Sequence, residues 1–170
     1  MATDTEGVLT LAANGGEMAE KFDAFCRKYL CQESWDFIVE TTRYEKMALN
    51  DQDEQHITFL HTTFLRILNQ YLLPTSSDEV NISSNTSKRV KAFRTREIFS
   101  RLDDEQRRTV FQEPLGEVVQ MLEANLLDKF WSHVARETDA ELARLAGGDK
   151  ELMQIMRASS QKSGAIPCSP

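Results

Sequence analysis

Residues 64–86, FLRILNQYLLPTSSDEVNISSNT, run out of one helix, through a loop, and into the start of another. Phe64, Ile67, Leu68 and Tyr71 continue a stripe begun at Ile57 and Leu60, spaced by threes and fours over about four turns. Pro74 closes that helix, because it has no N–H and forces the residue before it toward an extended backbone. A polar stretch follows, in which Val80 and Ile82 flank Asn81, and Ser83 or Ser84 can cap the next helix with a hydroxyl. Asn81 then has two readings: a turn residue, or an amide held out by a rigid scaffold to touch another molecule.

The helical spacing extends in both directions. Upstream, Phe22, Phe25, Cys26, Tyr29 and Leu30 recur at threes and fours, and QESWDFIVETTRYEKM (32–47) puts Trp35, Ile38 and Val39 on one face. NDQDEQ (50–55) breaks the pattern, and its acids suit the first turn of the next helix. Downstream come a basic helical segment, SKRVKAFRTREIF (87–99), and SRLDDEQRRTVFQE (100–113), with Pro114 near the first turn of a further helix. Val118, Val119, Leu122, Leu126 and Phe130 carry an apolar stripe to Val134. No segment alternates with period two between turn residues, so the expected class is all-α. The expected organisation is an N-terminal segment with a short helix and turn (1–17), a helical domain (18–135), a charged helical extension broken at Gly147–Gly148 (136–157), and a disordered tail (158–170).

Composition removes several function classes. The 170 residues are 41% hydrophobic and 28% charged, with a formal charge of −7, which argues against a nucleic-acid binder. No apolar run approaches the roughly 18 residues that a membrane helix requires. The first residues lack a basic region followed by an apolar stretch, so a cytosolic location is the expectation. Cys26 and Cys31 are five apart and Cys168 lies in the expected tail, so reduced thiols are expected rather than a disulfide framework or a metal site. The Asn-x-Ser matches at Asn81 and Asn85 carry no glycan on that reading. His56 and His61 are five apart, whereas two ligands on one helix face need a step of four. No phosphate-cradling glycine loop and no nucleophile with its base are present. The basic run Lys88, Arg89, Lys91, Arg94 and Arg96 reads as a solvated face, because Val90, Phe93 and Ile98 among it look core-facing. Its other reading is contact with an anionic membrane surface through Lys88, Arg89, Lys91 and Arg94, at the inner face of the plasma membrane.

Three stretches together resemble the regulator of G-protein signalling (RGS) domain: FDAFCRKYLCQESWDFIVETTRYEKM (22–47), the opening stretch 64–86, and VFQEPLGEVVQMLEANLLDKFWSHV (110–134). The middle one is the most specific, with its helix, short loop and Glu-Val-Asn-Ile before a hydroxyl-rich helix start. The ending NLLDKFW resembles plant and protist branches more than the common animal ones. The resemblance implies an all-α bundle of about nine helices that binds the GTP-bound or transition-state Gα subunit of a heterotrimeric G protein and speeds its GTP hydrolysis. It implies no cofactor and no catalytic group of the domain's own, since Gα carries its arginine in cis. Asn81 matches the family's loop asparagine that contacts the water-positioning glutamine of Gα. Glu33, Glu79, Ser83 and Met121 fit the remaining interface. Ser34 stands where the family usually has a second asparagine, Asn125 where it often has Asp, Leu126 where Ser is frequent, and Lys129 where Arg is frequent. Lys129 exchanges a bidentate fork for a point charge. These departures leave an adaptor without GTPase-accelerating activity as the alternative on the same fold. A helical interaction domain unrelated to G proteins is the alternative on another.

Overall fold

The structure, a computed structural model, describes residues 7–49 and 53–162, with side chains as far as residue 145. Residues 50–52 of the expected break at 50–55, Cys168 and the end of the expected tail lie outside the described residues. Every regular element described is helical: α1 (Val8–Asn14), α2 (Gly16–Lys28), α3 (Gln32–Met47), α4 (Glu54–Ile67), α5 (Ser84–Lys91), α6 (Arg96–Arg101), α7 (Asp104–Arg108), α8 (Gln112–Leu122) and α9 (Asp128–Lys162). A π turn, Leu68–Leu72, extends α4, and a second, Glu123–Leu127, joins α8 to α9. The class is all-α as expected, with fewer separate rods than segments because of that joint.

The two π turns follow from the sequence. Leu60, Phe64, Leu68 and Leu72 step by fours, as do Val118, Leu122, Leu126 and Phe130, and all eight are buried. On an α-helix each step of four overshoots a whole turn by about 40°. A π turn holds more residues per turn and takes up part of that drift, keeping the row on the core side.

The helix starts are local chemistry. Asp53, Ser83, Thr95 and Asp103 cap α4, α5, α6 and α7 by accepting from the backbone N–H three residues on. At α7, Gln106 bonds back to the Asp103 amide and completes a capping box. α1 lacks a cap of its own. The Val8 amide donates instead to Glu123 Oε1 at 3.2 Å, tying α1 to the π turn after α8.

Aromatic rings organise the core. Phe22 meets Trp35 and Phe130 edge-on at 5.0 and 4.9 Å. Phe111 receives Tyr44 at 5.2 Å and Phe64 at 5.3 Å, and Phe64 leads on to Phe99 at 5.3 Å. These contacts draw α2, α3, α4, α6 and the start of α8 around one apolar centre.

Three expectations are corrected. Tyr29 and Leu30 leave the α2 stripe, at 47% and 89% exposed, because α2 ends at Lys28 and the chain reverses there. The basic segment 87–99 is two helices, with a turn between Lys91 and the Thr95 cap. That restart rotates the register, so Ile98 is 42% exposed and Phe99 fills the core instead. α9 runs unbroken through Gly147–Gly148. A helical glycine costs about 1 kcal/mol relative to alanine, which the Ala/Leu/Glu-rich surroundings absorb. Among the described residues one compact unit ends at Phe130 and a second begins at Trp131.

Candidate functional site

The segment between α4 and α5 is braced along its length. Leu73 is extended (φ −97°, ψ 146°), as a residue before proline must be. The Ser76 hydroxyl donates to the Asn69 carbonyl at 2.7 Å and accepts from the Leu73 amide at 3.2 Å, which closes the end of the π turn. Gln70 and Ser77 both donate to Asp78 Oδ2, at 3.1 and 3.2 Å. Val80 is buried, and its amide donates to the Tyr71 carbonyl at 2.9 Å. Asn81 follows directly and is exposed, its side-chain amide without a hydrogen-bond partner among the described residues. Ser83 is the α5 cap, with its hydroxyl accepting from the Thr86 amide at 3.2 Å.

Two hollows flank this loop, and Glu79 lines both. One, of about 310 Å³, is walled by Gln32, Glu33, Asp36, Ser77, Asp78 and Glu79, so it joins the start of α3 to the loop. Four carboxylates give it negative character. Burial pushes the Asp36 carboxyl upward, and the hydrogen bond from Gln32 at 3.1 Å offsets part of that rise. The other hollow, of about 440 Å³, has Asn81 on its wall above Leu72, Pro74 and Val80, with Lys88 and Lys91 at its edge.

The third part of the site is α8. Glu117 accepts from the Ser83 amide at 2.6 Å and from the Thr86 hydroxyl at 2.5 Å, and these two bonds hold its carboxyl below the usual range. Met121 lies one turn further on and Asn125 two, where Asn125 Nδ2 donates to the Met121 carbonyl at 2.8 Å. Lys129 is exposed near the start of α9.

The sequence-derived contact set therefore divides. Glu33 and Met121 are half-buried, and Glu79, Asn81, Ser83, Asn125 and Lys129 are exposed. Ser34 and Leu126 are not surface residues: they are 1% and 6% exposed. Ser34 sits in the first turn of α3 beside the buried Trp35, and Leu126 belongs to the row of fours that the π turn holds inward. Both side chains are packed into the interior of the fold.

Neither histidine is part of a ligand set. His56 Nε2 lies 3.1 Å from the Met47 carbonyl, and the buried His61 lies 3.0 Å from the Arg94 carbonyl with its ring against Phe99. Cys26 and Cys31 are free thiols, and Cys31 Sγ donates to the Cys26 carbonyl at 3.5 Å. Among the described residues no group of three or more His, Cys, Asp or Glu is placed to hold a metal ion. Sequence reasoning missed Glu117, which reads as one more acid on a polar helix face because its partners lie 31 and 34 residues earlier.

The profile of the regulator of G protein signaling domain matches residues 10–134, well over half of the chain. The chain belongs to the RGS family. Among curated proteins, none matches it. The family match begins inside α1 and ends inside α9, so it spans the unit that holds the braced loop, the start of α3 and α8. RGS domains are regulators of G-protein signalling, and Gα subunits are their general partners.

Proposed function

We propose that this RGS domain accelerates GTP hydrolysis by a Gα subunit. It would bind the switch regions and stabilise them in the shape of the transition state. The observation that carries this reading is Asn81: an exposed, uncommitted amide on a backbone pinned immediately before it by Val80 and two residues after it by Ser83. An amide donates and accepts at once, so it can hold a glutamine side chain and a neighbouring polar group together. Held rigidly, it loses little freedom on binding, and its interaction can favour the transition state over the ground state. The domain supplies no reacting group. The chemistry remains with the nucleotide and metal of the partner.

The proposed contact surface is Glu33, Glu79, Asn81, Met121, Asn125 and Lys129, with Ser83 as the cap that supports the loop and with Ser34 and Leu126 packed below. The acidic hollow suits a basic side chain of the partner. Single-turnover GTP hydrolysis by a panel of Gα subunits, with and without this protein and its Asn81→Ala variant, tests the reading. Acceleration that Asn81→Ala largely abolishes is the expected result. Binding to activated Gα with no acceleration would make the domain an adaptor instead.

A further inference from the structure

Asn81 is exposed, but the chain on either side of it is fixed. Before it, the Val80 amide is held by the Tyr71 carbonyl, a main-chain bond to the π turn of α4. After it, the Ser83 amide is held by one side chain, Glu117 of α8, through Oε2 at 2.6 Å. The other oxygen, Oε1, takes the Thr86 hydroxyl at 2.5 Å and stands 3.0 Å from the Ser83 hydroxyl. A carboxylate offers about four acceptor positions, so three donors from the loop's last residue and the first turn of α5 nearly fill it. A glutamate present only as solvated charge would not collect the cap residue's backbone and side chain together. Glu117 also lies one turn before Met121, so the same side chain ties the loop to the end of α8 that carries Met121 and leads into the π turn with Asn125.

We infer that Glu117 is a positioning residue for the activity proposed above. Its carboxylate fixes the direction in which Asn81 leaves the loop, and it acts on the partner only through Asn81. The inference rests on the functional reading of Asn81. With the clasp gone, the loop must be ordered at the moment of binding, which weakens association. Once the partner is bound, the loop is ordered again and the maximal rate changes little. The role therefore has a kinetic signature distinct from that of a residue in contact with Gα.

The test is single-turnover hydrolysis by activated Gα across a concentration series of the protein. The proteins compared are wild type, Glu117→Ala, Glu117→Gln, Ser83→Ala, Asn81→Ala and the Asn81→Ala/Glu117→Ala double variant, with thermal unfolding of each. Glu117→Ala is expected to raise the half-maximal concentration about ten-fold, with the maximal rate within about two-fold of wild type. Glu117→Gln keeps one acceptor oxygen and is expected to fall between them. Ser83→Ala keeps the backbone bond to Glu117 but removes the α5 cap, and is expected to raise the half-maximal concentration by less than Glu117→Ala does. On the Asn81→Ala background, removal of Glu117 is expected to add nothing, because it acts through the missing amide. A Glu117→Ala protein equal to wild type overturns the inference, as does a loss of equal size with and without Asn81. Should Glu117→Ala fail to fold, Glu117→Gln carries the same comparison. A wild-type protein that accelerates no Gα brings down the functional reading and this inference with it, whereas wild-type acceleration insensitive to Glu117 removes the inference alone.

Discussion

At the scale of single residues, the exposed positions around the site separate function from stability. Asn81 makes no hydrogen bond within the described chain, so Asn81→Ala is expected to shift unfolding free energy by no more than about 0.5 kcal/mol while removing acceleration. Denaturant unfolding beside single-turnover hydrolysis would show the two effects apart. Leu30 presents the opposite case. It sits in the left-handed region at φ 56° with its side chain 89% exposed. Around it the Leu30 amide reaches the Arg27 carbonyl at 3.2 Å and the Cys31 amide reaches the Cys26 carbonyl at 3.1 Å. That pair of bonds is a Schellman termination, in which the left-handed position is ordinarily glycine. The left-handed backbone costs a side-chain-bearing residue roughly 1–2 kcal/mol, and glycine gives part of that back through its own chain entropy. Leu30→Gly is therefore expected to stabilise the fold by about 0.5 kcal/mol or more, read from the denaturant midpoint at constant slope. A less stable variant would show that Leu30 packs in a way its exposure does not suggest. The sequence could not foretell this termination, because Leu30 continued the spacing of Phe22 and Cys26 and no glycine marked the turn.

At the scale of elements, legibility followed the strength of local signals. The bounds of α3 match the stretch read from the sequence, because charged residues alternate with Trp35, Ile38 and Val39 until the pattern ends at Met47. The π turn that extends α4 ends at Leu72, and Leu73 is extended as Pro74 requires. The division of α5 from α6 was hidden, since the turn between them contains neither glycine nor proline and Thr95 looks like any helical threonine until it caps. The π turns were hidden too, although the steps of four that cause them are plain in the sequence once their drift is considered. How short elements are held to long ones can be tested. α7 is anchored to α3 by the Tyr44 hydroxyl, which donates to the Arg107 carbonyl at 2.9 Å in a buried setting. Burial also pushes the Tyr44 phenol well above its ordinary pKa, so it remains a donor throughout the accessible range. Tyr44→Phe keeps the ring against Phe111 and removes the hydroxyl's bond to α7, at an expected cost of about 1 kcal/mol. Calorimetric unfolding is the measurement. A cost near zero would mean that the Tyr44 hydroxyl does not anchor α7 to α3.

At the scale of the whole molecule, the site is a product of distance in the chain. The place of Asn81 on a loop between two helices was legible because Pro74 and the Ser83 cap bound that loop. The burial of Ser34 and Leu126 and the clasp of Glu117 on Ser83 depend on helices meeting from remote parts of the sequence, and no local spacing encodes them. Charge is likewise a whole-molecule property. The chain carries −7 overall, yet Lys88, Arg89 and Lys91 share one short helix that has no acid. Arg89 is committed to Glu113 at 2.8 Å, while Lys88, Lys91 and Arg94 make no ion pair among the described residues. Three such cations on an anionic bilayer are worth about 3 kcal/mol together, which is short of millimolar affinity before the repulsion of the remaining acids is counted. Binding to phosphatidylserine vesicles is therefore expected only at low ionic strength, where the Debye length is about 30 Å, and is expected to vanish near 0.15 M salt. The Lys88→Ala/Lys91→Ala double variant is expected to abolish even the low-salt binding, while unfolding is unchanged because both side chains reach solvent at the edge of the larger hollow. Cosedimentation across a salt series decides it. Retention at physiological salt that depends on Lys88 and Lys91 would make α5 a membrane-facing element, and the solvated face inferred from Val90 and Phe93 would be the wrong account of this helix.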